Sequence, residues 1–255
     1  MLKFASWNVN SLTVRLEQVI DWLKSSQVDV LALQETKLIN ENFPVTAFTD
    51  LGYQVIYSGQ KTYNGVAIIS KHDISGMLTE IPGLEDPQRR ILAATIAGIR
   101  LINLYVPNGA DLASDKYIYK LDWLAKVSEF IRQQLIIYPK CIVLGDFNIA
   151  PEDRDVHDPS EWEGCVLVSQ PERRAFAKLL SFGFYDSYRK FEQEKEFSWW
   201  DYRAGGFRRN RGLRIDHILL SNELIVLCKH SGIDKEPRKS ERPSDHAPVW
   251  VELDV

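Results

Sequence analysis

Six short segments of this chain place oxygen-bearing or imidazole side chains just after an apolar run. They are Trp7-Asn8-Val9-Asn10, Leu33-Gln34-Glu35-Thr36-Lys37, Asn103-Leu104-Tyr105-Val106-Pro107-Asn108, Gly145-Asp146-Phe147-Asn148, Arg214-Ile215-Asp216-His217 and Ser244-Asp245-His246-Ala247-Pro248. A strand end is where a rigid scaffold meets a solvent-facing loop, and catalytic groups concentrate there. Glu35 with Asn8 or Asp245 nearby is an oxygen set that suits magnesium, a hard cation that takes one or two carboxylates beside waters and a phosphate. Read alone, Glu35 is a solvated glutamate paired with Lys37. The soft Cys/His set that zinc prefers is missing. Asp146 leaves a buried strand with its carboxylate outward, and Asn148 faces the same side if the strand continues. A carboxylate beside an amide can orient a water and hold a phosphate oxygen. The same two residues would equally serve a turn in which both side chains cap their own backbone.

The remaining segments extend this pattern. A lone histidine is more often structural than catalytic. In company with other polar strand ends, His246 could hydrogen-bond a phosphoryl oxygen or stabilise developing charge. Asp245 would then ligate a metal or hold a partner, and Asp216 would fix the His246 tautomer, as a third group often does. His217 alternates to the other face and reads as an ordinary residue. Tyr105 is by default a core tyrosine, but in a polar pocket its hydroxyl would donate to a phosphate oxygen. Phe197-Ser198-Trp199-Trp200-Asp201-Tyr202-Arg203, followed by Arg208, Arg209, Asn210 and Arg211, mixes aromatics with cations. Aromatic faces stack on bases or sugars and arginines bind phosphates, although a solvated arginine loop with one structural tryptophan reads the same way.

The elements that must carry these groups follow from periodicity. Short apolar runs rich in Val, Ile and Leu predict strands at Leu2–Trp7, Val28–Leu33, Gly65–Ser70, Leu92–Ile96, Arg100–Val106, Cys141–Leu144, Ile215–Leu220 and Val249–Leu253. Spacings of three and four predict helices over Arg15–Ser25, Lys116–Gln134 and Pro171–Phe182. Strands mixed with helices indicate an α/β or α+β fold with helices covering sheet faces. Phe4–Asn10 and Val143–Asn148 are similar strand ends that could meet at one edge of a two-sheet sandwich, and chance similarity explains them nearly as well.

Composition narrows the class. The 255 residues are 45% hydrophobic and 26% charged, ordinary for a soluble globular protein. No linker interrupts the chain, which reads as one domain over residues 1–255. Three cysteines without short spacing point to a reducing cytoplasm rather than to disulfides. The N-terminus lacks the apolar core of a signal peptide, and no long apolar window predicts a membrane span. A net charge of −4 does not by itself suggest nucleic acid, but five arginines gather within residues 203–214. Gly-x-Ser-x-Gly, Walker A and Gly-x-Gly-x-x-Gly patterns do not occur, which leaves serine-hydrolase, ATPase and dinucleotide-binding readings without support.

Taken together and in this order, the six segments resemble the endonuclease/exonuclease/phosphatase superfamily, and most closely its exonuclease III family, over residues 1–253. The resemblance implies a four-layer α/β sandwich of two packed mixed β-sheets flanked by helices. It implies a magnesium-dependent phosphodiesterase of DNA repair, with manganese able to substitute, acting as abasic-site endonuclease, 3′–5′ exonuclease and 3′-phosphatase. Its partner would be double-stranded DNA with abasic sites or blocked 3′ ends, met by a cytoplasmic monomer. Glu35 would be the main metal ligand with Asn8 and Asp245 near it. Asp146 would orient or deprotonate the attacking water, and Asn148 would hold phosphate. Tyr105 and His246 would stabilise the pentacovalent centre, with Asp216 behind His246. Alternatively Asp146, Asn148 and His246 belong to a second metal position. Asn10, Arg90, Asn108, Trp200, Arg208, Asn210 and Arg211 would contact DNA, with Trp200 favouring a bare extruded sugar by shape. Two other readings share the sequence: a phosphodiesterase of the same superfamily with a lipid or cyclic-nucleotide substrate, and a DNA-binding module with a dead site.

Overall fold

The computed structural model describes residues 1–255. In chain order the strands are β1 (Leu2–Asn8), β2 (Val30–Gln34), β3 (Gln54–Ser58), β4 (Val66–Ser70), β5 (Ile74–Leu78), β6 (Ile91–Ile96) and β7 (Ile99–Tyr105). They continue as β8 (Cys141–Asp146), β9 (Phe184–Asp186), β10 (Trp199–Trp200), β11 (Gly212–Leu213), β12 (Asp216–Ser221), β13 (Cys228–Ile233) and β14 (Val249–Leu253). The α-helices are α1 (Leu12–Ser26), α2 (Val45–Thr49), α3 (Asp115–Ile137), α4 (Gln170–Ser181) and α5 (Asn222–Ile225). One six-stranded sheet runs β13-β14-β1-β2-β4-β3 and the other β5-β6-β7-β8-β12-β9, while β10 and β11 form a small ribbon. Both large sheets are mixed: β1 pairs parallel with β2 and β7 parallel with β8, and their other pairings are antiparallel.

The two sheets pack face to face because their strands alternate. Phe4, Val30, Ala32, Val66, Leu92, Leu101, Ile142, Leu144, Ile218 and Val251 share one core between the sheets. Their neighbours point the other way. Ala5, Trp7, Leu31 and Leu33 pack on Leu12, Val19, Trp22 and Leu23 of α1. Ala93, Ile102, Val143 and Leu219 pack on Trp123, Leu124 and Val127 of α3 and Phe176 of α4. Period-2 alternation therefore builds helix, sheet, sheet and helix in four layers, as the resemblance implies. None of the helices is long and apolar enough to cross a membrane.

All eight expected strands are present, each within two residues of its expected bounds, and they are the eight interior strands of the two sheets. Within these two sheets the four strands that were not expected, β3, β5, β9 and β13, are the four edges, and the ribbon strands β10 and β11 were not expected either. An edge strand is covered on fewer sides and keeps polar residues: β5 reads Ile-Ser-Gly-Met-Leu with its middle exposed. The segment between β2 and β3 holds the short helix α2.

Strand direction explains why the polar segments share one end. β1 and β2 run parallel and finish side by side, Asn8 opposite Gln34. β7 and β8 do the same, Tyr105 opposite Asp146. β12 is antiparallel to β8 and begins at that edge, Asp216 opposite Asp146. β14 is antiparallel to β1, so the Ser244–Ala247 segment that leads into it arrives beside the end of β1. Close approach of β7 and β8 requires Gly145, whose φ is 140° and whose Cβ would fall 1.9 Å from the Leu104 carbonyl oxygen. Gly145→Ala should therefore lower unfolding free energy by about 2–4 kcal/mol, read as a reduced urea midpoint at unchanged slope.

Candidate active site

The inner face of each sheet turns polar toward this shared edge. Gln34 of one sheet donates to the Asn103 side-chain oxygen of the other at 2.8 Å. One step further out, the Asn8 amide donates to Glu35 Oε1 and to Asp146 Oδ2, both at 2.9 Å. The two similar strand ends seen in the sequence thus meet across the sandwich. Asn8 is fully buried and Asp146 and Asp216 nearly so, while Glu35 is half-buried at the rim.

Asp146, Asp216 and His246 form the tightest group, with one ligating atom of each within 4.8 Å of the others. His246 Nδ1 lies 2.9 Å from Asp216 Oδ2, and its Nε2 lies 3.8 Å from Asp146 Oδ2. Asp216 therefore holds Nδ1 as the protonated nitrogen and aims Nε2 at Asp146. Ser198 donates its hydroxyl to Asp216 Oδ2 at 2.6 Å and accepts the Ile215 and Asp216 amides at 3.1 Å. Nothing in the spacing of Ser198 marked it as part of the site. Its only signal was its place in the aromatic segment before Trp199.

Burial pushes the Asp146 carboxyl up to about 7, with His246 opposing the rise and Asp216 adding to it. Burial disfavours charge on His246, but Asp216, Asp146 and Asp245 outweigh it and raise its pKa to about 10. Burial raises the Tyr105 hydroxyl well above its ordinary value, and the Glu35 carboxylate adds to that, so it stays a proton donor. Arg90 stacks over the Tyr105 ring, its guanidinium carbon 4.6 Å from the centroid. Burial works against the Asp245 carboxylate, yet His246, Trp199 and Asn10 hold it below the usual range.

Two positions correct the alternation argument. β8 ends at Asp146, and Asn148 turns back with φ of 49° instead of continuing the strand. Its backbone N–H donates to Asp146 Oδ1 at 2.9 Å, and its amide donates to Asp146 Oδ2 at 3.2 Å and Val106 O at 3.0 Å. The turn reading of this segment therefore holds, and both amide hydrogens of Asn148 orient the protein's own groups. Glu35, with φ of 52°, is also left-handed, so its carboxylate leaves the alternation of β2 and reaches Asn8.

Glu35 and Asp245 lie outside the compact Asp146–Asp216–His246 group. Asp245 accepts from the Asn10 amide and from Trp199 Nε1, both at 3.0 Å. Asn10 in turn accepts from Lys37, whose ammonium lies 3.0 Å from Glu35 Oε2. The groups facing the site are carboxylates and one imidazole, without thiolate, and this set fits a hard divalent cation. Glu35 and Asp146, which the Asn8 amide bridges, are the carboxylates that would hold it.

The expected DNA contacts divide. Glu35, Lys37, Arg90, Tyr105, Asn108 and Lys116 line a cleft of about 650 Å³ beside the Asp146–Asp216–His246 group. Asn108 donates to Asn148 Oδ1 at 3.1 Å. Arg208, Asn210 and Arg211 are exposed, with Arg211 paired to Glu161. Trp200 corrects the expectation: it is 0% exposed, with Phe207 at 5.0 Å and Arg238 at 5.7 Å from its ring. Its Nε1 donates to Asn210 Oδ1 at 3.2 Å. Alternation along β10 sends the two tryptophans to opposite faces, so Trp200 anchors the loop and half-buried Trp199 faces the site. His217, as expected, points away; it bonds Arg214 and the Ile149 carbonyl.

Residues 5–246 match the endonuclease/exonuclease/phosphatase family, and the chain belongs to it. Within that family it is 37% identical to exodeoxyribonuclease III of Haemophilus influenzae, over 99% of this chain and 100% of the relative. Its fold superposes with a TM-score of 0.98 on a 3′ phosphatase from Neisseria solved with a product DNA hairpin, at 45% identity and 100% coverage of both chains. An AP endonuclease from Archaeoglobus fulgidus gives a TM-score of 0.97 at 40% identity, again over 100% of both chains. The protein is accordingly a hydrolase of phosphodiester bonds of the exodeoxyribonuclease III kind.

The sign of one pH effect follows from His246. Its folded pKa of about 10 lies above its ordinary 6.5, so the pair with Asp216 stabilises the fold fully below about pH 6.5 and is lost as pH rises through 10. In EDTA-treated protein, the melting temperature should fall between pH 7 and pH 10 in the parent, and by less in His246→Gln. Parallel curves for the two proteins would contradict the assignment.

Proposed function

We propose that the chain is a magnesium-dependent DNA-repair phosphodiesterase that incises double-stranded DNA at abasic sites and clears blocked 3′ ends as exonuclease and 3′-phosphatase. The observation that carries this reading is the buried Asp146–His246–Asp216 group opening on a cleft rimmed by Glu35, Tyr105 and basic side chains. The names and activities of the related proteins support DNA as the substrate. Exposed Arg203, Arg208 and Arg209 supply phosphate-binding charge on one loop despite the negative net charge.

Each side chain then has a task that its surroundings favour. Asp146, with a pKa near neutrality, loses its proton around physiological pH and takes one from a water in line with the phosphorus. Asn8 and Asn148 fix the carboxylate so that one oxygen faces that water. His246 remains an imidazolium, held by Asp216, and its Nε2–H meets the charge that develops on the phosphoryl oxygens. Tyr105 keeps its proton and donates from the cleft side. Glu35 would hold a divalent cation, which when bound would supply charge withdrawal from the phosphoryl and leaving oxygens. Trp199 offers an aromatic wall beside Asp245, and an abasic nucleotide is the easiest to extrude toward it. The unpaired cysteines, two of them buried, fit the cytoplasmic setting.

Asp146→Asn should lower single-turnover cleavage of an abasic duplex by about 10²–10⁴-fold while leaving DNA affinity within about threefold. Cleavage at the parent rate would remove Asp146 as base. EDTA should abolish parent activity and added magnesium restore it, whereas Glu35→Ala should need far more magnesium and recover only in part. Rates on an internal abasic site, a 3′-phosphate, a recessed 3′ end and a lipid phosphodiester, measured side by side, test the substrate. Turnover of the lipid alone would overturn the DNA assignment.

A further inference from the structure

Behind the catalytic face an ammonium group sits where solvent does not reach. Lys120, on α3, is 0% exposed. Its three N–H bonds find three acceptors: the carbonyl oxygen of Asn148 at 2.7 Å, that of Asn108 at 3.1 Å, and Glu172 Oε1. Glu172, also 0% exposed, belongs to the capping box of α4. Its Oε1 accepts the Leu167 amide at 3.0 Å, and its Oε2 accepts the Ser169 amide at 3.0 Å and hydroxyl at 2.6 Å. The circuit closes where Ala150 N donates to Leu167 O at 2.7 Å.

We propose that Lys120, neutralised by Glu172, is a positioning residue for phosphodiester hydrolysis. Its ammonium locks the backbone carbonyls of Asn108 and Asn148 and thereby sets the two loops that present the Asn108 amide and the Asp146–Asn148 pair. This inference rests on the reading of Asp146 as the catalytic carboxylate. A buried ion pair is weak as a source of stability, and replacing both partners by uncharged groups is often neutral. The directional contacts are what distinguish this pair. Asn148 is held at a positive φ of 49°, a conformation that persists only where the surroundings over-determine it. Only a tetrahedral ammonium sends three donors in diverging directions, whereas a guanidinium is a planar fork. Burial lowers the Lys120 pKa, with Glu172 and then Asp146 working against that, which explains why the acid accompanies it.

The test uses the full chain with magnesium and a duplex carrying one abasic site. Lys120→Met/Glu172→Gln removes both charges at similar volume. It should melt cooperatively and lose about 10²-fold in kcat with KM within about threefold. Amide hydrogen exchange over residues 147–150 should speed up by about tenfold or more. Lys126→Met, which breaks an exposed pair with Asp122 on the same helix, should behave as the parent. Parent-like kcat in the folded double variant, or lost kcat with unchanged exchange over 147–150, would overturn the proposal. If the double variant does not fold, Lys120→Arg decides: it keeps the charge but not the three directions, so parent-like kcat there is equally fatal. A parent chain inert on the DNA would sink the proposed function instead, and the exchange comparison would still judge the clamp.

Discussion

One primary amide joins the two halves of this molecule. Asn8, at the end of β1, has two amide hydrogens, and Glu35 of its own sheet takes one while Asp146 of the opposite sheet takes the other. Two carboxylates brought this close repel each other, and in a water-poor setting the repulsion is severe. The amide, the His246 imidazolium beside Asp146 and the Lys37 ammonium beside Glu35 together make the pairing tolerable. A divalent cation bound there would do so more fully. The geometry of this junction is therefore as stiff as the packing of Phe4, Val30, Ile142 and Leu144 that brings the sheets together.

Around that junction the backbone is repeatedly left-handed. Asn10, Glu35, Lys37 and Asn148 all have positive φ, from 44° to 56°. Each such residue costs about 1–3 kcal/mol if unsupported. Support comes from both sides. In front, the Lys37 ammonium bonds the side chains of Asn10 and Glu35, and the Asn148 amide bonds Asp146. Behind, buried ionic groups grip the carbonyls of the same turn. His217 bonds Ile149 O at 2.9 Å while Arg214 ties it to Asp155 and Asp186. The acidic balance of the chain is in this light no argument against a polyanionic substrate. A share of its carboxylates is spent internally on buried arginines, lysine and histidine, while the arginines of the 203–211 loop remain at the surface.

Much of this was legible in the order of residues alone. The eight interior strands stood out because a strand covered on both faces must be apolar throughout, and the four edges escaped because theirs need not be. The site residues stood out by type: carboxylates, amides and a histidine have no reason to follow buried strands unless something polar is to be held there. Their family was legible from the same segments in order.

Tertiary structure decided which of these groups meet, and how. Asn8 and Asp146 are 138 positions apart, Asn10 and Asp245 235 apart. No local spacing encodes such pairs; strand direction, register and the packing of one sheet on the other do. The same long-range geometry bent Asn148 and Glu35 off the strand alternation, buried Trp200 and left Trp199 at the site, and recruited Ser198 and Lys120, residues whose types suggest nothing. Sequence determines the chemistry available to a chain like this one because chemistry belongs to side chains. Only the fold determines their distances, because distance depends on every strand between them.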